Sequence, residues 1–498
     1  MPHVRVPPTC VPAARTVAVG GGHRALNTKS SPPLSQAGKC FGCGAPVQLH
    51  SPGEAGYVEI EAVTAKASHR QAGMLMCARC RSLAHGGLEV AVAEDHLPSP
   101  APPSPHAASP SPRPPAKRLA TPAQLRAELA DAASGPALVA LVVDALDVPG
   151  SLLGGRVRSL VGGNPVFLIG TRCDLLPSSI VGGGPGAPSG SRPGPRALAA
   201  WLADVAARRG LTVAGAAALS SKSGSGVPAA VGALRRERRG RDLVVLGAAN
   251  VGKSAFVRAF VKETKVATSP HFDPAAAAVG RRLPLEAALP GTTLARIPLR
   301  AFASGDGRLV DTPGLHLHHR LIHCLSPAEA VELQPKKALR AWFAPDPASV
   351  GTDAAGMGAA TYAWGGVARV DVSGAPPGTR LIFYGPAALR VGAGPLVSMA
   401  LEGGALTEMM GGHTAFGVGS VTLRGGLRPA REAVLKGRAV DVCVSGLPGW
   451  LAIRPPAGDT GHDSLDGISV RAWAPVGVEV FLRDAMPVAE EGDPRDIW

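Results

Sequence analysis

An α/β fold with a mostly parallel sheet is predicted for the middle of this 498-residue chain by three observations. From Thr121 onward, apolar runs alternate with amphipathic ones, the pattern of strand–helix units. The octapeptide Gly247–Ser254, GAANVGKS, fits the phosphate-binding pattern G-x-x-x-x-G-K-[ST]. Its flanks suit such a loop: Asp242–Leu246 is an apolar run leading in, and Ala255–Lys262 is an amphipathic run leading out. A cysteine-knuckle module is expected before this domain and a β-rich (α+β) domain after it.

Composition narrows the classes. Lys and Arg number 51 against 37 Asp and Glu, a net charge of +14 with a pI near 9.8, which suits an anionic partner, nucleic acid first. Aromatics are only 4%, so a base-stacking platform is a poor main binding mode. Gly 63 and Pro 48 leave much of the chain to loops. Eight Cys in a chain this long are no disulfide scaffold. No apolar run reaches the roughly 18 residues of a membrane helix, and the longest candidate, Ala137–Val143, is cut by Asp144.

Residues 1–38 carry Arg5, Arg15, Arg24 and Lys29 among Ser and Thr, and the first carboxylate is Glu54. Arg-rich, Ser-containing and acid-free, they read as an organelle transit peptide, with plain disorder as the alternative. Residues 39–92 hold Cys40-Phe-Gly-Cys43 and Cys77-Ala-Arg-Cys80, two knuckles that together offer the four soft ligands a tetrahedral Zn²⁺ wants. A redox dithiol fits less well, because neither pair opens a helix beside a strand–helix–strand unit. His50, His69 and His85 are spare ligands only. Residues 93–120 are a Pro/Ser-rich linker with no core-forming capacity.

Within the α/β domain, Thr121-Pro-Ala-Gln-Leu-Arg opens a helix with Pro at its first position. Strands are expected at Ala137–Val143, Val166–Ile169 and Val213–Leu219, and helices over 196–209 and Val227–Arg239. At the end of the second strand stands Thr171-Arg172-Cys173-Asp174, resembling the guanine-reading motif N-K-x-D. A carboxylate at Asp174 accepts from guanine N1–H and the 2-amino group, a donor pair that adenine lacks. Ser220-Ser221-Lys222, at the end of the third strand, resembles S-A-K, whose backbone N–H meets guanine O6.

Gly247 and Gly252 let the backbone around Asn250 and Val251 curl so that its N–H groups face phosphate oxygens. Lys253 reaches the β- and γ-phosphates, and Ser254 holds Mg²⁺. Pro290-Gly-Thr292-Thr293 and Asp311-Thr-Pro-Gly314 follow. The latter fits D-x-x-G, in which the Asp reaches Mg²⁺ through water and the Gly N–H senses the γ-phosphate. Lys253, Thr293, Asp311 and Gly314 are therefore the expected catalytic set, with Ser254, Thr293 and Asp311 around magnesium. The base-reading pair precedes the phosphate loop, which is the order of a circularly permuted P-loop GTPase. Residues 121–335 are assigned to it, 336–486 to the β-rich domain and 487–498 to a loose tail.

Zinc knuckles, then a permuted GTPase, then a β-rich tail make a layout that resembles the YqeH family of ribosome-assembly GTPases. Val161–Gly170, Leu325–Ala328, Gly365–Arg369 and Val444–Trp450 carry the likeness further, across most of residues 39–485. Plant and algal members, some called nitric-oxide-associated or pale-green proteins, are organellar. The resemblance implies small-subunit ribosome biogenesis in the chloroplast stroma, with the mitochondrion as runner-up. It also implies small-subunit rRNA or a pre-ribosomal particle as partner and GTP, GDP, Mg²⁺ and Zn²⁺ as ligands, with no DNA. Asn250 resembles the residue that holds K⁺ in related GTPases. The family's Asn and Lys are Thr171 and Arg172 here, one able to donate a hydrogen bond and the other to stack on a base. Leu315 stands where a water-orienting Gln is found elsewhere, so turnover is expected to be slow unless an ion helps. A binding module with little turnover is the alternative. An oxidoreductase reading finds no haem-ligand or flavin fingerprint.

His316, His318, His319 and His323 are read as a polar surface segment rather than a second metal site. Gly-punctuated runs at Gly366–Val372, Thr379–Phe383, Ala439–Ser445, Trp450–Ile453, Gly467–Trp473 and Val476–Leu482 are expected strands. Arg424, Arg428, Arg431, Lys436 and Arg438 form a basic run suited to RNA phosphates, or simply a solvated face.

Overall fold

Continuous apolar runs become central parallel strands because both of their faces are covered. In the computed structural model this holds for β1 (Ala137–Asp144), β2 (Val166–Thr171) and β4 (Asp242–Gly247), which are buried almost throughout. The structure describes residues 38–63, 75–85, 127–131, 134–153, 156–177, 195–280, 282–286, 291–303, 307–396, 426–437, 439–459, 461 and 463–487. Most of the expected transit peptide, the linker, the Thr121 helix start, His69, Pro290, Arg424, Arg438 and nearly all of the tail lie outside them.

The strands β3 (Gly215–Ala218), β5 (Ile297–Leu299) and β6 (Leu309–Asp311) complete a six-stranded sheet of order β3-β2-β1-β4-β6-β5. All neighbours pair in parallel except β5 with β6. Helices Pro195–Arg208, Val227–Arg238 and Lys253–Thr264 connect or follow these strands. Leu198, Leu202, Val231, Leu234, Phe256 and Phe260 pack into one core with Val139, Leu141, Leu168 and Leu246.

Two antiparallel five-stranded sheets form the C-terminal part. One has the order β16-β13-β14-β10-β7, from β7 (Arg340–Phe343), β10 (Arg380–Gly385), β13 (Val440–Val444), β14 (Trp450–Arg454) and β16 (Val480–Asp484). The other runs β11-β8-β9-β15-β12, from β8 (Gly358–Trp364), β9 (Ala368–Ala375), β11 (Val391–Pro395), β12 (Leu427–Val434) and β15 (Ser469–Pro475). Alternation along β10 shows how they are used. Leu381 and Phe383 point into a core shared by the two sheets, with Tyr362, Val370 and Val470. Ile382 and Tyr384 point the other way, into the core of the α/β part, as do Cys443, Trp450 and Ala452. The first sheet is thus covered on both faces, and the α/β part and the C-terminal part share apolar contact.

One expectation needs correction. The strand expected from Val476 begins at Val480, because Val476 and Gly477 (φ +84°) make the turn out of β15. The basic run around Arg428 and Arg431 forms β12, an edge strand pairing with β15, and five of its residues in succession, Arg428 to Glu432, are exposed, as on a solvated face. Among the described residues, no helix is long and apolar enough to cross a membrane.

Candidate functional site

The chain leaves β4 at Gly247, turns through Asn250 and Gly252, both left-handed at φ +61° and +88°, and enters helix Lys253–Thr264. That helix points its N-terminus, with its unpaired N–H groups, into a cavity of about 400 Å³. Thr171, Arg172, Asp174, Ser221 and Lys222 line the cavity together with Asn250, Gly252, Lys253, Ser254, Thr292, Thr293 and Gly314. Residues expected to read a base and residues expected to grip phosphates therefore face one space, although 80 positions separate some of them.

One group of oxygens converges. Ser254 Oγ lies 3.0 Å from Asp311 Oδ2, Thr293 Oγ1 lies 3.2 Å from the same oxygen, and the two hydroxyls are 3.2 Å apart. Asp311 is fully buried, and its Oδ1 has no partner among the described residues. Burial lifts its pKa to about 6, opposed by Lys253 and the two hydroxyls. Burial likewise lowers Lys253 to about 8, opposed by Asp311. Lys253 Nζ donates to Ala248 O at 2.8 Å. A hard divalent cation suits this set of oxygens, which a bare buried carboxyl occupies at a cost.

The D-x-x-G turn is fastened to the phosphate loop. Leu315 N donates to Gly247 O (3.0 Å), and Ala249 N donates to Leu315 O (2.8 Å). A side chain at Gly314 would meet Ala249 Cα at 2.7 Å, so the turn can lie this close only with Gly there. Leu315 itself is buried in the core, 6% exposed.

At the other end, Thr171 Oγ1 donates to Val251 O (2.7 Å), with Val143 O also in reach at 3.1 Å, and so ties β2 to the phosphate loop. Arg172, left-handed at φ +62°, does not lie free to stack. Its Nη1 pairs with Asp144 Oδ2 (2.8 Å), and its Nη2 donates to Asn250 O (2.8 Å) with Asn250 Oδ1 at 3.4 Å. Ser221 Oγ is buried with no partner among the described residues, whereas Ser220 Oγ accepts from Ser223 N inside its own turn and does not line the cavity. Gly247 and Val251 do not line it either and serve through their carbonyls.

Several contributors escaped the sequence reading. Arg320, 3% exposed, donates from Nη1 to Ala249 O (2.7 Å) and from Nη2 to Asp147 Oδ2 (3.2 Å). Asp147 also accepts from Gly446 N in the C-terminal part (2.8 Å). The partners are 173 and 299 positions apart, and no local pattern signals them. Of the histidine segment expected at the surface, His318 is exposed and His316 and His319 are half-buried, whereas His323 is not at the surface. His323 is 9% exposed, and its ring lies 3.6 Å from that of His316. Among the described residues, the four cysteines are the one group of three or more His, Cys, Asp or Glu side chains close enough together to hold a metal ion.

Those cysteines, Cys40, Cys43, Cys77 and Cys80, are all buried, with their sulfurs within 4.8 Å of one another. Cys40 Sγ lies 3.8 Å from Cys80 Sγ, and Cys43 Sγ lies 3.9 Å from Cys77 Sγ. Four sulfurs about 2.3 Å from a central zinc would sit about 3.8 Å apart, so the donor set fits a tetrahedral ion. His50 and His85 are not part of the cluster.

No family model matches the chain. It is 33% identical over 468 residues to the NO-associated protein 1, chloroplastic/mitochondrial, of Arabidopsis thaliana, covering 91% of this chain and 77% of the relative. It is 33% identical over 473 residues to a protein of Oryza sativa subsp. japonica named putative nitric oxide synthase (91% and 78%). To the uncharacterized protein YqeH of Bacillus subtilis it is 29% identical over 357 residues (70% and 81%). The chain belongs to the YqeH family, in its organellar branch. This YqeH-family chain carries the cysteine cluster on the N-terminal side of the α/β sheet and two antiparallel sheets on its C-terminal side.

Proposed function

We propose that this chain is a GTP-binding and GTP-hydrolysing assembly factor for an organellar small ribosomal subunit, built on a circularly permuted P-loop GTPase domain. The observation that carries the reading is the convergence of Ser254 and Thr293 on the buried Asp311 carboxylate at a helix N-terminus, both hydroxyl residues lining a cavity that Asp174 and Ser221 also line. The order β3-β2-β1-β4-β6-β5 supports it, because β1 alone separates β2 from β4, and across its end Thr171 at the end of β2 reaches the loop after β4.

In this reading Asp174 and Ser221 hold guanine, and Thr171 and Arg172 brace the base-reading turn against the phosphate loop. Lys253 and the N–H groups of Asn250 to Ser254 neutralise phosphate charge. Ser254, Thr293 and Asp311 hold a magnesium ion, which supplies charge neutralisation at the phosphates. Gly314 reads the γ-phosphate through its N–H, and Asn250 is a candidate K⁺ ligand. The four cysteines hold a structural Zn²⁺. Organellar rRNA or a pre-ribosomal particle is the partner, met by the basic surface, which includes Arg428, Arg431 and Lys436. The chloroplast stroma is the compartment, with the mitochondrion second, in line with the name of the Arabidopsis relative.

Two measurements test this. Purified chain is expected to bind and hydrolyse GTP and not ATP. Tagged chain is expected to sediment with small-subunit particles in organellar gradients with a GTP analogue and to leave them with GDP. Loss of both behaviours refutes the proposal. One observation favours a second reading, a GTP-binding RNA module with little turnover: Leu315 is buried against the phosphate loop and offers no group to orient water. Single-turnover hydrolysis with and without added subunits separates the two.

A further inference from the structure

Among the described residues, the hydrogen bonds between the cysteine knuckles and the α/β part gather around the loop that carries Thr293. Leu285 N donates to Gly42 O (3.0 Å). Leu294 N and Ala295 N both donate to Cys43 O, at 2.8 and 3.1 Å. Arg79, between Cys77 and Cys80, donates from Nη2 to Gly291 O at 2.8 Å. Leu294 belongs to the same small core as the four cysteines, and Leu285 packs on that core. A methyl group at Gly44 (φ +78°) would stand 2.5 Å from Ala295 O, so the knuckle abuts this backbone directly.

We propose that the four-cysteine knuckle is a metal-set clamp on the nucleotide switch, in which Arg79 is the positioning residue for Thr293. Gly42 and Cys43 lie within or beside the first ligand pair, so a metal that fixes Cys40 and Cys43 also fixes the carbonyls that receive Leu285, Leu294 and Ala295. Those three attachments flank Gly291 to Thr293, and Arg79 grips the first residue of that stretch. Thr293 Oγ1 is 3.2 Å from both Ser254 Oγ and Asp311 Oδ2, a spacing that a shift of about 1 Å abolishes.

Stability does not account for Arg79. It is 6% exposed, and its Nε and Nη1 have no partner among the described residues, so burying this cation with one carbonyl partner costs folding energy. What the guanidinium supplies is a fixed donor to a loop that otherwise depends on two short stretches of backbone. Zinc release then loosens the Thr293 loop and weakens the triphosphate state while sparing the diphosphate state, in which that threonine has no γ-phosphate to close on.

The clamp rests on the GTPase reading, so its test must tell the two failures apart. The full chain is prepared zinc-loaded, chelator-stripped, and as Arg79→Ala and Arg79→Lys, with zinc content measured for each. Affinities for a fluorescent non-hydrolysable GTP analogue and for fluorescent GDP are read in Mg²⁺, alongside hydrogen exchange at Leu294 and Ala295. Stripping and Arg79→Ala are each expected to weaken the GTP analogue about tenfold, the scale of one charged hydrogen bond, and to leave GDP unchanged. Arg79→Ala is expected to keep its zinc, and Arg79→Lys to recover part of the loss. Stripping is expected to speed exchange at Leu294 and Ala295 while the amides of β4 stay protected, which shows that the α/β part is still folded. An unchanged GTP-to-GDP ratio in both the stripped and the Arg79→Ala protein overturns the clamp. Failure of the zinc-loaded chain to bind either nucleotide overturns the GTPase reading itself.

Discussion

Replacing Arg320 with Met removes a buried cation while keeping most of its volume, and the structure sets the size of the response. Arg320 has two jobs: its Nη1 satisfies Ala249 O at 2.7 Å, and its Nη2 meets Asp147 Oδ2 at 3.2 Å. Leaving the Ala249 carbonyl buried without a donor costs about 1–3 kcal/mol at any pH. The second loss depends on pH. Burial lifts Asp147 from 3.8 to about 6, and the charge of Arg320 is the largest influence holding it down. At pH 7 the carboxyl is ionised in the native protein, one pH unit above its midpoint, which is worth about 1.4 kcal/mol. Without the cation the midpoint rises further, so the group is ionised less at pH 7 and up to that increment is lost. A raised carboxyl contributes stability that is fully present below 3.8 and declines as pH rises to about 6 in the native protein. In the variant the decline continues past 6. The deficit of the variant is therefore expected to be about 1–3 kcal/mol at pH 5.5 and larger at pH 7, by up to roughly 1.4 kcal/mol. Urea unfolding followed by tryptophan fluorescence is the assay, since Trp450 lies in the affected core. Adding Asp147→Asn should remove the pH-dependent part. Equal deficits at the two pH values, or a pH dependence that survives in the double variant, would refute the reasoning.

Three further outcomes are expected. Asp174→Asn should move preference from GTP toward xanthosine triphosphate by roughly 100-fold, the scale of a lost or gained charged hydrogen-bond pair; an unchanged GTP preference removes Asp174 from the base site. Because Asp311 is raised to about 6, Mg²⁺ has to displace a proton below that pH. Mg²⁺-dependent nucleotide affinity, measured by titration calorimetry, should then fall about tenfold per pH unit below 6 and be flat above it, and a flat profile from pH 5 to 7 counts against Asp311 as a ligand-site carboxylate. Turnover should be faster in K⁺ than in Na⁺. Equal rates in the two salts remove Asn250 as a K⁺ ligand, and Arg172, whose Nη2 lies 3.4 Å from Asn250 Oδ1, is then the nearest cation to it on the base side.

How much of this was legible in the sequence follows from the range of each interaction. The strands β1, β2 and β4 announced themselves because buried parallel strands need unbroken apolar runs, and the cavity motifs sit at their ends. β12 was hidden: Leu427-Arg-Pro-Ala-Arg-Glu-Ala-Val434 is an exposed edge with no apolar alternation, so only its charge showed. β8 was hidden for the opposite reason, since Gly358-Ala-Ala-Thr-Tyr-Ala-Trp364 is buried on both faces but too rich in Ala to read as a strand. The four cysteines were legible as ligands by spacing alone. Arg79, Arg320 and Asp147 were not, because each acts on a backbone group or charge more than 170 positions away.

Those three residues change how the layout is to be understood. Along the chain, the D-x-x-G turn at Asp311–Gly314 leads directly toward the C-terminal part. The structure has contacts on two sides of the cavity. Arg79 and Cys43 hold the Thr293 loop from the N-terminal knuckle, while Arg320, Asp147 and Gly446 join Ala249 in the phosphate loop to the C-terminal sheets. A third contact, Leu339 N to Leu175 O at 2.8 Å, fastens the entry into those sheets to the base-reading turn. Each attachment is a buried polar contact, so it holds a defined geometry or costs energy, and has little room to yield gradually. A ligand that shifts the Thr293 loop would act on the knuckle, and one that shifts Ala249 would act on the contact to the C-terminal sheets. A partner gripping both flanks would act on nucleotide affinity from two sides at once, by the same reciprocity.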